Sequence, residues 1–379
     1  MDIISAVASV NAIIIALLLI NKKGKNVSNK ILIAWTFNFA LHFSILFLAS
    51  RAILLQPVNW GFILGIVLVA HTPFLFLYTK SLTQRNFKPD FKNLSYFGFV
   101  LIYIATFIPN LMLSQEARME LVYNKQNMDY HTFVPMITLL FCQVYFLIRT
   151  IILLINHQHR IKSEFSYEES INLAWIKHIV YGFAFIIVIS FIAYGLVSAQ
   201  IISIYQMDSS IIVVNMILFF YIAYRGYNQR TVYLTKEKPE SGQTEIQAGE
   251  NIDVPKESVA DANLSEKDPR MEELISLMKK EKLYLDPELN VGDLANKLGI
   301  HSHQLSKMVN SQLNRNFFEF INEYRVEEFK KLATDPKNKH ISILGLAMDA
   351  GFNSKATFNR IFKSTTGLTP SDFRAGFKF

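Results

Sequence analysis

Up to about Tyr227 the chain is written in long apolar runs broken by short polar stretches; beyond about Asn228 charged residues recur every few positions. A run of about 20 mainly apolar residues is long enough to cross a ~30 Å hydrocarbon core as a helix. Seven such runs are present, roughly 3–20, 31–50, 58–79, 94–113, 133–155, 178–202 and 210–227. They are apolar on all sides, which leaves little face for water and argues against buried helices of a soluble fold. The pattern therefore predicts a bundle of seven transmembrane helices over residues 1–227.

The polar breaks set an orientation. Lys22, Lys23, Lys25 and Lys30 follow the first run, Lys80, Arg85, Lys88 and Lys92 the third, Arg160, Lys162 and Lys177 the fifth, and Arg225, Arg230, Lys236 and Lys238 the seventh. The opposite loops hold only Arg51, Arg118 and Lys125. Positive loops stay on the cytoplasmic side, so the expectation is an N-terminus outside and a C-terminus in the cytoplasm, in a multi-pass protein of the inner (cytoplasmic) membrane. The apolar N-terminal run carries its lysines after it and none before, the reverse of a cleavable signal, and reads as a retained span. Glu168–His178 has an amphipathic pattern in which Trp175 and Lys177 suit an interfacial anchor.

Between about 228 and 269 no apolar periodicity is sustained, and Glu, Ser, Lys, Gly and Pro predominate. Such text cannot bury enough apolar surface to offset the entropy of ordering it. A flexible acidic linker is expected there.

From Met271 apolar positions return at helical spacing. Leu274, Leu277 and Met278 mark one helix and Leu294, Ala295 and Leu298 a second, with Asn290 as N-cap, Asp293 three residues on and Gly299 at the end. Ser302 is placed to cap a third helix, whose buried face is Leu305, Met308 and Val309. Helix, short turn with Gly, helix is the helix-turn-helix pattern. It then recurs: LANKLGIHSHQLSKMV from Leu294 aligns with LAMDAGFNSKATFNRIF from Leu346, pairing Gly299 with Gly351 and, after one extra residue in the second turn, Leu305 with Phe358 and Lys307 with Arg360. Between the copies Phe317, Phe320, Ile321, Tyr324 and Phe329 predict a helix over 316–333, about 27 Å long at 1.5 Å per residue. Thr369, Pro370 and Asp372 open a last short helix.

The run GF-x-S-x(3)-F-x-R-x-FK followed by G-x-TP-x(2)-FR stands here as Gly351, Phe352, Ser354, Phe358, Arg360, Phe362, Lys363, Gly367, Thr369, Pro370, Phe373 and Arg374. On these residues, and on the duplicated unit, residues 270–379 resemble the DNA-binding domain of AraC-type transcription regulators. Phe373 stands where that family often has Tyr. The resemblance implies recognition helices at about 302–312 and 355–364, with double-stranded promoter DNA as partner. It makes His303, Ser306, Lys307, Lys355, Ala356, Thr357, Asn359 and Arg360 the candidate DNA-binding residues. Arg suits a guanine edge, Asn adenine and Ala the thymine methyl, whereas Lys307, Lys355 and Lys363 equally suit phosphate. Such domains commonly act as dimers, so a homodimer is expected.

Composition narrows the remaining chemistry. The chain has 379 residues, 51% hydrophobic, 31 of them Phe, and a formal net charge of +7. The segment 271–379 holds 16 Lys/Arg against 13 Asp/Glu, so bulk charge by itself does not imply nucleic acid. The single cysteine, Cys142, excludes an intrachain disulfide and a Cys-based zinc site. No phosphate loop, nucleophile elbow or metalloprotease histidine pair is present, so neither enzyme, cofactor nor metal is expected. His157 and His159 read as a solvated loop. Within the apolar runs His42, His71, Asn110, Gln143 and Asn215 are candidates for a ligand pocket, and intramembrane polar groups are functional candidates by default. Arg149 lies near enough to the cytoplasmic end to snorkel.

Together these patterns predict an all-α protein: an N-terminal seven-helix transmembrane sensor domain, then a cytoplasmic domain of two helix-turn-helix units on a long linking helix. The function expected is a membrane-bound transcription regulator that senses an unknown small-molecule or protein signal in the envelope or bilayer. The alternative is a transporter or lipid-handling membrane protein whose tail only docks a partner.

Overall fold

A computed structural model describes residues 2–22, 26–50, 57–84, 87–114, 116–117, 130–168, 171–202, 204–229 and 269–377. The chain divides into two compact units, one drawn from residues 1–157 and 173–233, the other from 158–172 and 234–379. Apart from its ends, the expected linker lies outside the described residues, as do Arg51, Arg118 and Lys125.

The first unit comprises α1 (Asp2–Asn21), α2 (Val27–Ser50), α3 (Pro57–Thr83), α4 (Phe91–Leu94), which passes through a 3-10 turn into α5 (Gly98–Met112), α6 (Tyr130–Glu164), whose last residues belong to the second unit, α7 (Ala174–Ser198) and α8 (Ile204–Asn228). Among the described residues seven helical stretches are long and apolar enough to cross a membrane, counting α4 and α5 as one. Their outward faces are apolar as well as their interior, carrying Ile, Val, Leu and Phe on α1, α5, α6 and α7. On α1 the buried positions are Ser5, Ala8, Ser9, Ala12, Ala16 and Leu19, while Ile3, Val7, Val10, Ile14 and Leu17 face outward. Small residues inside let helices approach closely, and Ser9 Oγ meets Ser44 Oγ of α2 at 2.6 Å. Aromatic rings fill the interior: Trp35, Phe39, Phe43 and Phe219 form one cluster, and Phe76, Tyr103 and Phe146 a second.

Two expectations are corrected in this unit. Trp175 is not interfacial; it is 2% exposed, its indole N–H donates to Gln229 Oε1 at 2.8 Å, and the Arg225 guanidinium lies 5.7 Å from its ring. A ring with an internal acceptor and an internal cation gains nothing from the interface. His157 and His159 are not in a loop, because α6 runs on to Glu164 through a polar stretch that holds neither Gly nor Pro. Arg149 reaches Tyr145 Oη at 3.4 Å and lies 5.6 Å from the Phe76 ring.

The second unit comprises α9 (Pro269–Glu281), α10 (Val291–Lys297), α11 (Ser302–Leu313), α12 (Phe317–Thr334), α13 (Ile343–Asp349), α14 (Lys355–Thr366) and α15 (Pro370–Ala375). Cap chemistry explains most of the boundaries. Asn290 and Asp293 form a capping box on α10, and Asn316 and Glu319 one on α12. Ser342, Ser354 and Thr369 accept from the third backbone N–H of α13, α14 and α15. At α11 the cap is His301 rather than Ser302, with Gln304 Oε1 accepting from the His301 N–H at 3.1 Å. Gly299 and Gly351 take positive φ, +64° and +94°, and end α10 and the turn after α13.

The helix α12 carries two cores, one per repeat. Phe317, Phe320 and Ile321 join Leu274, Leu294, Leu305 and Val309. Val326, Phe329 and Ala333 join Leu346, Ala347, Phe352, Phe358 and Phe362. Between the two cores Glu328 accepts from Lys282 Nζ at 2.8 Å and Tyr284 Oη at 3.1 Å. Burial alone would raise its pKa, but those two hydrogen bonds and the Lys282 and Lys331 charges outweigh it and hold the carboxyl below its ordinary value.

Candidate nucleic-acid interface

Two outward faces follow from this packing. On α11, Leu305, Met308 and Val309 point into the first core, which leaves His303 and Lys307 exposed and Ser306 half-buried. On α14, Phe358 and Phe362 point into the second core, which leaves Lys355, Ala356, Asn359, Arg360 and Lys363 exposed. Thr357 departs from the expected set: it is 8% exposed, and its backbone N–H donates to the Ser354 cap. Helical rotation by 100° per residue turns it toward the Phe358 side. The His301 and His303 rings stack with centroids 5.8 Å apart. Among the described residues no three His, Cys, Asp or Glu side chains could hold a metal.

The closing motif acts as a strap. Phe373 packs on Phe362 with centroids 5.4 Å apart. Arg374 donates to the carbonyls of Ile341 at 2.6 Å and Asn338 at 2.9 Å. Five N–H groups in a fixed fork suit a cluster of loop carbonyls, so this pair fixes the turn before α13 and hence the second helix pair.

Residues 294–376 match the family described as a helix-turn-helix domain. The chain is 30% identical over 91 residues to the regulatory protein SoxS of Salmonella typhimurium, covering 24% of this chain and 82% of that protein. The chain belongs to the AraC-type family of helix-turn-helix transcription regulators. The probable transcription factor PqrA of Proteus vulgaris is 33% identical over 86 residues, 23% of this AraC-type chain and 68% of its own length. The Msm operon regulatory protein of Streptococcus mutans is 31% identical over 86 residues but is matched over only 30% of its length. All three similarities fall short of a quarter of this AraC-type regulator.

Sequence reasoning passed over one group of residues in the AraC-type unit. Arg325 is 1% exposed in the middle of α12. It donates through Nε to Tyr284 O at 2.8 Å, through Nη1 to Ser166 O at 2.9 Å, and through Nη2 to Asp286 O at 2.7 Å and Ser166 Oγ at 3.0 Å. Burial pushes the guanidinium down to about 10, against the opposing pull of Asp286, so it stays charged near neutrality. The available signal was a charge four residues after Ile321 and four before Phe329, on the apolar stripe of a helix.

Of the pocket candidates, His42, His71, Gln143 and Asn215 line one cavity of about 580 Å³ in the first unit, walled mainly by Leu, Ile and Phe. Asn110 is buried on α5 and is not part of that lining. Trp35 Nε1 lies 3.2 Å from His71 Nδ1, and His71 Nε2 lies 3.2 Å from His42 Nδ1.

Proposed function

We propose that this regulator works from the cytoplasmic membrane, with residues 1–227 as a seven-helix sensor and residues 270–379 as a DNA-binding domain tethered by the acidic segment 228–269. The positive loops favour an external N-terminus and a cytoplasmic C-terminus. One observation carries the reading. A domain with two helix-turn-helix cores on one rod shares its chain with helices whose outward faces carry Ile, Val, Leu and Phe. Such a surface is stable against hydrocarbon and unstable against water. Promoter DNA is the partner of the exposed residues on α11 and α14, and the regulator acts as a homodimer. An envelope or membrane-borne signal reaches the DNA-binding domain through the same polypeptide.

Genome-wide mapping of DNA crosslinked to the intact chain tests this. The expected result is a small set of promoter regions sharing a motif, recovered from the membrane fraction. Recovery of no DNA above background from cells that hold the full chain in the membrane would favour a tail that only docks a protein partner.

A further inference from the structure

We propose that the cavity in the first unit takes a neutral amphiphile: an apolar body bearing a carbonyl-type acceptor. This rests on the sensory reading above and names its ligand class. An indole N–H can only donate, so His71 Nδ1 accepts from Trp35 and the proton of His71 sits on Nε2. That proton is donated to His42 Nδ1, which places the His42 proton on Nε2. Neither ring can then be cationic. His42 Nε2–H is left as a donor with no partner among the described residues, on a side chain 3% exposed that lines the cavity. A buried donor of this kind is stabilised by an acceptor, and Gln143 and Ser190 add further polar contacts. Among the described residues no Lys, Arg, Asp or Glu lines the space, so a carboxylate or ammonium head group would be buried there without a described counter-charge. The volume falls within the range of small-molecule sites.

Three labelled probes of equal chain length separate the contributions: methyl dodecanoate, dodecanoate and dodecane, each bound to the full chain in nanodiscs. The ester is expected to bind most tightly, and His42→Phe, which keeps a ring of similar size, should weaken the ester about 3- to 10-fold, the scale of one hydrogen bond, while leaving dodecane unchanged. Equal binding of ester and hydrocarbon, an ester preference that survives His42→Phe, or retention of none of the three would overturn the proposal. Promoter occupancy measured alongside keeps the two readings apart: ester binding that leaves occupancy unchanged removes the sensory role and leaves the ligand site.

A different set of contacts carries a second inference. Residues 158–172, the last turns of α6 and most of the segment that joins it to α7, belong to the DNA-binding unit. Ser166 is fully buried there, with its N–H and Oγ both donating to Leu289 O and its carbonyl accepting from Asn322 Nδ2 and Arg325. On either side of it the segment touches both outward faces. The Ser163 carbonyl accepts from Ser306 Oγ on α11 at 3.4 Å, and Glu168 Oε2 pairs with Arg360 Nη2 on α14 at 2.8 Å. We infer that residues 163–168 are an in-chain competitor of DNA, in which the Glu168 carboxylate stands where a phosphate or base acceptor would meet Arg360. The pair is poised to exchange, since Glu168 Oε1 is buried with no hydrogen-bond partner among the described residues and Arg360 keeps 52% of its side chain exposed. A half-satisfied buried carboxylate recovers solvation when it is released.

The test uses the full chain in nanodiscs and a pool of random-sequence duplexes, read by sequencing the bound fraction. Glu168→Gln and Ser166→Ala should each raise the affinity for the enriched duplexes about 3- to 10-fold, the shift expected when a small bias toward a closed state is removed. Glu288→Gln, an identical charge change at an exposed site outside residues 163–168, should not. Equal gains from Glu168→Gln and Glu288→Gln, or none from either, would overturn the competitor while leaving DNA binding intact. No enrichment by any form would overturn DNA binding and the competitor with it. Should Ser166→Ala fail to fold, Glu168→Gln decides alone.

Discussion

Arg360→Ala in the full chain is expected to weaken promoter binding by about 1–3 kcal/mol, roughly 5- to 150-fold, and to flatten the preference at a single base position. The reason is geometric. Arg360 leaves α14 opposite the buried Phe358 and Phe362, and a guanidinium offers the paired donors that match the O6/N7 edge of guanine. Its release from Glu168 in the same variant works in the opposite direction but removes one ion pair whose arginine side is half exposed, a smaller quantity. Lys363→Ala supplies the contrast. A lysine meeting phosphate lowers affinity evenly over all sequences and reduces the salt slope by about one. Anisotropy titrations at two salt concentrations against a set of single-base variants distinguish the outcomes. A uniform loss for Arg360→Ala would assign that side chain to the phosphate backbone.

The second large effect separates two glycines that look equivalent in the repeated unit. Both have positive φ, yet a Cβ on Gly299 would meet nothing within 4 Å, whereas one on Gly351 would lie 2.3 Å from the Tyr284 carbonyl oxygen and 2.9 Å from Leu285 Cα. That carbonyl is the acceptor of Arg325 Nε. Gly299→Ala should therefore cost only the backbone strain, about 1 kcal/mol. Gly351→Ala adds a backbone collision and displaces a partner of a buried guanidinium, for a total of about 3 kcal/mol or more. Hydrogen exchange of the α12 amides in the full chain reads the difference as lost protection. Equal losses would mean that the Tyr284–Leu285 turn yields without cost.

Where the chemistry is local, the primary sequence was readable. Apolar runs of the right length became helices, Asn290 and Thr369 capped helices as Asx and hydroxyl side chains do, and the aligned Leu-Ala and Gly pairs of the repeat fell into matching places. Local reasoning slipped by one residue at His301, because Gln304 can cap as a side chain reaching back. It missed the helical course of His157 and His159, because a polar stretch is as compatible with a helix end as with a loop. The burial of Thr357 and Trp175 depended on neighbours elsewhere in the chain. The pairing of Ser166 with Arg325 and of Glu168 with Arg360 spans more than a hundred and fifty positions, and nothing in a serine or a glutamate announces so distant a partner.

The single uninterrupted helix α12 supplies residues to both cores, so the two helix-turn-helix units share one girder. A promoter that lengthened the gap between its two contact patches by half a turn, about five base pairs, would rotate one patch to the far side of the duplex. No change of side chain could follow it there. Spacing, more than the letters at either patch, is then the property of an operator that this girder makes least negotiable.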